Sequence, residues 1–148
     1  MRPDERPLYD IFEEVSKERS KAKRADILRA HNSLHMRDVL RAAFDDTIIF
    51  DLPEGTPPFT PNEQFLKENV VGSLRKGTKM LTYVIKGSPM AKNLRALKKE
   101  KMWVDLLENC HPNDAKVLSA MKDKQLTGLF KGLTKELVKE VYPKLIRK

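Results

Sequence analysis

One stretch, DLPEGTPPFTP at residues 51–61, decides how the rest of the chain is organised. Its four prolines fix the backbone angle φ and remove backbone donors, so the stretch cannot lie inside a helix or a central strand. The preceding residues 47–50, three β-branched residues and a phenylalanine, favour a short strand, but a single strand needs a partner. We therefore predict a Pro-rich extended connector at residues 47–61, which divides the chain into two helical parts.

On the N-terminal side, residues 1–46 predict a helical hairpin. Apolar side chains recur at intervals of three and four residues in its first helix, which we expect to run to about residue 20. A second helix is expected to begin near Arg24, and Ser33 is a favourable N-cap for a third. The apolar positions that define the first helix are Leu8, Ile11, Phe12 and Val15.

On the C-terminal side, residues 62–148 predict a basic helical part. Pro61 can open a first helix, because the missing backbone N–H of proline costs nothing in the first turn. Ser88 followed by Pro89 is a strong start signal, a cap and then a first-turn proline, for a long helix over residues 89–109.

The remaining helical signals complete the predicted fold. His111 and Pro112 start another helix, and Thr134 caps a last short one. Residues 80–86 stay open between helix and strand, because a short apolar run does not settle the period. With a length of 148 residues, the expected architecture is mainly α: a single-domain bundle of about six or seven short helices.

The positive charge is unevenly distributed along the chain. The formal net charge is +8, yet residues 1–50 carry ten basic and ten acidic side chains, which cancel. Residues 71–101 hold nine basic side chains against the single acid Glu100, so this stretch accounts for the whole excess. Such an imbalance bears on partners and solubility more than on the fold.

Several classes of protein are disfavoured by composition. Cys110 is the only cysteine, so an intramolecular disulfide and a four-thiolate zinc site are excluded. No apolar window reaches the roughly 18–20 residues that cross a bilayer, so we expect a soluble protein without a membrane partner. His31 and His35 stand four apart, but the Asn32-Ser33 cap lies between them. We therefore expect no metal and no cofactor.

Catalytic motifs are also missing. The chain has no Gly-x-Ser-x-Gly elbow and no phosphate-binding glycine loop followed by Lys-Ser/Thr. The paired carboxylates at residues 13–14 and 45–46 come without an acid–base or metal constellation. The sequence therefore predicts a protein that is not an enzyme.

The basic stretch is the best candidate for a binding site. Lysine and arginine neutralise phosphates, and neighbouring aromatics such as Tyr83 and Trp103 can stack on exposed bases. The alternative is that Trp103 belongs to the core and that the lysines are one solvated helix face. The predicted nucleic-acid-binding residues are Arg75, Lys76, Lys79, Lys86, Lys92, Arg95, Lys98, Lys99 and Lys101.

Several short segments of the chain form a distinctive pattern: FDD at 44–46, LPEGTPPF at 52–59, LLE at 106–108, HPNDA at 111–115, MKDK at 121–124, KGLT at 131–134 and YP at 142–143. This pattern resembles that of small proteins from contractile-tailed bacteriophages, notably those of marine cyanobacteria, a family with no assigned activity. The resemblance implies a phage origin and synthesis in the host cytoplasm, and it carries over no functional residue.

Two functional hypotheses follow from these patterns. The first is a non-catalytic phage accessory protein that contacts nucleic acid, in replication, recombination or transcription, through the basic residues at 75–101. The second is a virion structural or assembly protein that uses the same surface and the connector against acidic protein partners, with the virion as its location. The oligomeric state and any sequence specificity stay open.

Overall fold

The computed structural model describes residues 7–57, 59–60 and 78–146. Over these ranges the chain forms seven α-helices and one 3₁₀ helix, which confirms the predicted mainly α, single-domain architecture. The α-helices are α1 (Leu8–Lys17), α2 (Lys21–Ala30), α3 (Leu34–Phe44), α4 (Ala96–Glu108), α5 (Pro112–Lys122), α6 (Leu126–Leu129) and α7 (Lys135–Val141), and the 3₁₀ helix is Thr78–Tyr83.

Side-chain caps set where several helices begin. The hydroxyls of Ser20, Ser33 and Thr134 each accept a hydrogen bond from the backbone N–H three residues further on. Each bond satisfies one of the amide groups that a helix leaves unpaired in its first turn, and such a cap contributes about 1 kcal/mol. The predicted caps at Ser33 and Thr134 are confirmed, and Ser20 places the start of α2 slightly before the predicted position near Arg24.

One apolar core joins the two ends of the chain. The predicted stripe of α1 is fully buried, and it packs together with side chains of α3, α5 and α7. Trp103 is buried at 1% exposure and lies against Phe50, with a ring-centroid distance of 6.1 Å. The interpretation of Trp103 as a core residue is therefore confirmed, and stacking on exposed bases is not its role.

One prediction about the middle of the chain is wrong, and one segment that the sequence left open is now assigned. The long helix expected from Ser88 and Pro89 begins only at Ala96, because residues 87–93 form successive turns with Ala91 buried between them. Residues 80–86 are neither a regular helix nor a strand: the 3₁₀ helix ends there, and Ile85 makes an isolated antiparallel bridge to Phe50. The helix expected to open at Pro61 lies outside the described residues.

Helix α5 is the hub of the fold, and its first turn holds the N-terminus of α1. Pro7, at the N-cap of α1, has no side chain that can cap. The carboxylate of Asp114 takes that role across 105 residues, accepting the N–H of Tyr9 at 2.9 Å as well as that of Leu8. When it is ionised, this carboxylate also interacts favourably with the positive end of the helix dipole.

The other end of α5 holds the C-terminus of α3. Lys124 adopts φ = 60°, and the N–H groups of Lys124 and Gln125 bond back to the carbonyls of Met121 and Ala120 in a Schellman motif. This left-handed position usually carries glycine. A lysine stands there because its ammonium group donates to the carbonyls of Ala42 and Asp45, the last turn of α3.

Asp114 makes the stability of the fold depend on pH. Burial raises the pKa of Asp114 to about 7, with a further contribution from Asp10, although the N–H bonds from α1 oppose it. The folded state therefore holds a proton that the unfolded chain has already lost, and stability falls as pH rises from about 4 to about 7. Burial lowers the pKa of His111, so its effect has the opposite sign.

Asp114→Asn tests this cap, because the amide oxygen still accepts from α1 but the side chain no longer titrates. As the pH is raised from about 4 to about 7, we expect the melting temperature of the wild type to decrease relative to that of the variant. The free-energy change is a few kcal/mol, since one pKa unit corresponds to about 1.4 kcal/mol. The His111 contribution is common to both proteins and cancels. Asp105→Asn, at an exposed site on α4, is the control; parallel profiles for wild type and Asp114→Asn would refute the account.

Candidate nucleic-acid interface

The structure divides the predicted binding residues into three groups. Arg75 and Lys76 lie outside the described residues, and Lys79 belongs to the 3₁₀ helix. Lys99 is buried. The other five are exposed, and we call them the exposed cation set: Lys86, Lys92, Arg95, Lys98 and Lys101.

Lys99 is a structural residue and not part of the exposed surface. Its side chain is 8% exposed, and its ammonium group meets the carboxylate of Asp51 at 2.5 Å. This ion pair fastens the start of the connector to the buried face of α4. The sequence held a signal for the burial of Lys99, though not for its pairing. Lys99 precedes the buried Trp103 by four residues and therefore shares its helix face.

Surface cations of the described chain differ in whether they pair with an acidic side chain. Lys17, Arg29 and Lys135 each pair with a carboxylate, at 3.3, 3.4 and 2.9 Å respectively. None of the five side chains of the set forms an ion pair among the residues that the structure describes. The charge between residues 86 and 101 is therefore available to an anionic partner.

Three members of the set line one groove. Arg95 is the N-cap residue of α4, and Lys98 and Lys101 follow at intervals of three, so the three lie along one side of the helix. The groove has a volume of about 1010 Å³ and lies between connector residues 52–57 and residues 93–104. Its lining is largely apolar and includes Leu97, a leucine that is 78% exposed.

Side chains of α4 and α5 hold the connector wall of this groove in place. The ammonium group of Lys122, whose side chain is 2% exposed, donates to the carbonyl of Pro53 at 2.7 Å and to Asp123 at 2.7 Å. Asp123 in turn accepts the N–H of Gly55 at 3.1 Å, and Glu108 accepts the N–H of Thr60 at 2.8 Å. The prolines prevent the connector from pairing as a regular strand. Side chains of the helices therefore form the hydrogen bonds that its backbone N–H and C=O groups need.

The groove itself was not predicted. Neither its connector wall nor the buried Lys122 has a sequence signal, because the contacts join residues 69 positions apart. The unusual exposure of Leu97 was also not predictable from the sequence, because helix periodicity does not show which apolar residue lies outside the core. The five exposed cations, in contrast, were all identified from charge alone.

The buried polar groups near α5 serve the fold. The Nδ1 atom of His111 accepts the N–H of Asn113 at 3.0 Å and caps α5, so the neutral ring carries its proton on Nε2. Burial, together with the charge of Asp114, raises the pKa of the Cys110 thiol, which is the opposite of what an activated nucleophile needs.

Among the residues that the structure describes, no group of three or more His, Cys, Asp and Glu side chains able to hold a metal ion occurs. His31 ends α2 and His35 lies in α3, so the two histidines do not share a helix, as the intervening cap predicted. In the same residues, no helix has the length and apolar character needed to span a membrane.

Comparison with known proteins yields one match. A family model described as a family of unknown function (DUF6433) matches residues 11–128, about four fifths of the chain. No curated protein and no solved structure matches it. The matched range includes both walls of the groove and all of the exposed cation set.

The ion pair between Asp51 and Lys99 leads to a stability prediction. Asp51→Ala leaves a buried ammonium group without its partner, and we expect a loss of about 2–3 kcal/mol in unfolding free energy. Lys99→Met in the same background removes the stranded charge and restores most of the loss. Asp105→Ala, an exposed acid on the same helix, is the control for urea unfolding. Equal stabilities for Asp51→Ala and the double variant would show that the pair does not fasten the connector.

Proposed function

The chain belongs to the DUF6433 family of unknown function, and we propose that it is a non-catalytic bacteriophage accessory protein that binds nucleic acid. The binding surface is the exposed cation set on residues 86–101. Nucleic acid is contacted mainly through its phosphates, so the surface confers affinity with little base readout.

The observation that supports this proposal most strongly is that five exposed cations without an acidic partner in the described chain are concentrated within residues 86–101. A charged surface of this kind gains binding free energy when phosphates replace its counterions, which are released into solution. A lysine already paired with a carboxylate gains less, because phosphate must first displace its partner. For the same reason Lys99 is left out of the proposed surface: it is buried and already paired with Asp51.

The non-catalytic part of the proposal rests on the use of the chain's reactive groups. Asp114 caps α1, His111 caps α5, and Cys110 is a buried thiol with a raised pKa. Burial shifts the pKa values of all three groups from their ordinary values, and each group has a structural role. Shifted pKa values often mark a catalytic site, but ion pairs and helix caps that only stabilise the fold also shift them.

The biological setting of the proposal comes from the resemblance of the chain to small proteins of contractile-tailed bacteriophages. That setting is the host cytoplasm, where phage DNA is replicated, recombined and transcribed. A basic accessory protein without sequence readout fits any of these three processes.

A second candidate is a virion structural or assembly protein that binds acidic protein partners. It is favoured by the apolar lining of the groove and by Leu97, since apolar contact is typical of the centre of protein interfaces. The connector itself is less suited to lie along a neighbour, because Lys122, Asp123 and Glu108 already bind its backbone. Mass spectrometry of purified virions separates the candidates: many copies per particle support assembly, and absence supports the accessory role.

Charge reversal with a salt series tests the proposed function. The variant changes Lys92, Arg95, Lys98 and Lys101 to Glu, and its binding to short single- and double-stranded DNA is measured by fluorescence anisotropy. If all five cations contact a single strand, the slope of log K against log salt is near −3.5, at about 0.7 per phosphate. We expect the variant to lose nearly all binding and most of this slope.

The matched control reverses four exposed cations elsewhere, Lys23, Arg41, Lys131 and Lys139, and so changes net charge by the same amount. We expect it to retain most of the affinity, because long-range charge contributes less than direct contact. Equal losses in the two quadruple variants would show that net charge, and not this surface, governs binding. No measurable binding by wild type at low salt would overturn the proposal.

A further inference from the structure

We propose that the groove between the connector and α4 receives unstacked bases of a single-stranded nucleic acid, while Arg95, Lys98 and Lys101 bind its phosphates. This inference rests on the proposed function, because it assigns a class of nucleic acid to the same surface. Binding through phosphates alone needs only a charged surface. An apolar groove beside the charges fits a ligand that carries an apolar group next to each anionic group.

The size and lining of the groove suit such a ligand. Its volume of about 1010 Å³ is at the upper end of small-molecule sites, which is room for several ring systems. The connector contributes Leu52, Pro53 and Pro57 to one wall, and α4 contributes Leu97 and Val104 to the other. Nucleobases present planar apolar faces that pack on aliphatic side chains as well as on aromatic ones.

The charges of the groove favour an anion that also carries hydrogen-bond donors. Arg95, Lys98 and Lys101 lie on the α4 side, and two carboxylates, Glu54 and Glu100, also line the groove. A phosphate is attracted by the three cations. N–H groups of bases, such as N3–H of thymine and the amino group of cytosine, can donate to the two carboxylates, as cytosine does to Glu and Asp in base recognition.

A double helix cannot use this groove. Its bases are stacked and paired in the interior, and it offers only a sugar–phosphate surface and groove edges to a protein. A single strand exposes base faces at no unpairing cost, which is why single-strand-binding proteins combine positive grooves with packing surfaces for bases. The apolar lining therefore predicts a preference for single strands that the exposed cations alone would not produce.

An extended acidic peptide fits less well. Such a peptide brings an N–H and a C=O at every residue, and these need partners along the groove wall. On the connector, Pro53 and Pro57 have no N–H, the carbonyl of Pro53 is bound by Lys122, and the N–H of Gly55 is bound by Asp123. The connector wall is thus unable to add a peptide strand, whereas bases do not require one.

The test compares oligo-dT of about twelve nucleotides with an abasic strand of equal length and a duplex of the same charge. Binding is followed by the fluorescence of Trp103, the only tryptophan of the chain, which lines the groove. We expect oligo-dT to bind at least about tenfold more tightly than the abasic strand, because burying roughly 60 Å² of apolar base surface is enough for a tenfold change in affinity.

Leu97→Ala shortens an exposed leucine in the groove, and Leu34→Ala, at a leucine that is 57% exposed on α3, is its matched control. We expect Leu97→Ala to weaken oligo-dT binding about five- to tenfold and to leave the abasic strand unchanged. Leu34→Ala should change neither. Both leucines are exposed, so both variants should keep the wild-type melting temperature.

Failure of this inference is distinguishable from failure of the proposed function. Equal, salt-dependent affinity for oligo-dT, abasic strand and duplex would overturn base entry while leaving phosphate binding intact. No binding of any of the three would overturn both. An amphipathic Glu/Leu helical peptide serves as the protein-like probe: binding that exceeds oligo-dT and is weakened by Leu97→Ala would overturn the nucleic-acid assignment in favour of a protein partner.

Discussion

The fold depends on a buried carboxylate that caps a helix far away in sequence. Asp114, in the first turn of α5, accepts the free N–H groups at the start of α1, which Pro7 cannot cap. At the opposite end of α5, the ammonium group of Lys124 binds the last carbonyls of α3. One helix therefore places an acidic side chain at a helix N-terminus and a basic side chain at a helix C-terminus, where each binds backbone groups that the helix leaves unpaired.

The end of the same helix holds one wall of the groove. Lys122 and Asp123, at the end of α5, hold the backbone of the connector, and Asp51 is fastened to Lys99 of α4. Prolines make this possible, because a segment that cannot pair with strands is free to be bound by side chains. The connector thus becomes a fixed wall opposite the exposed cations of α4. The groove is a consequence of how the fold is held together.

The sequence predicted what is encoded locally. The stripe of α1, the caps at Ser33 and Thr134, and the exposed lysines all follow from short-range periodicity, capping or charge. The long helix from Ser88 failed, because burial of Ala91 in a turn outweighs a good local start signal. The cap from Asp114, the pairing of Lys99 and the groove were out of reach, since each joins residues 48 or more positions apart.

The central claim is that a single nucleic-acid strand lies between the connector and α4. Hydrogen exchange of backbone amides, measured with and without oligo-dT, tests it most directly, because it locates the contact without altering the chain. The account predicts slower exchange at residues 52–57 and 93–104, with α2 and α7 unchanged. Protection centred on α2 or α7, with the groove unaffected, would contradict it.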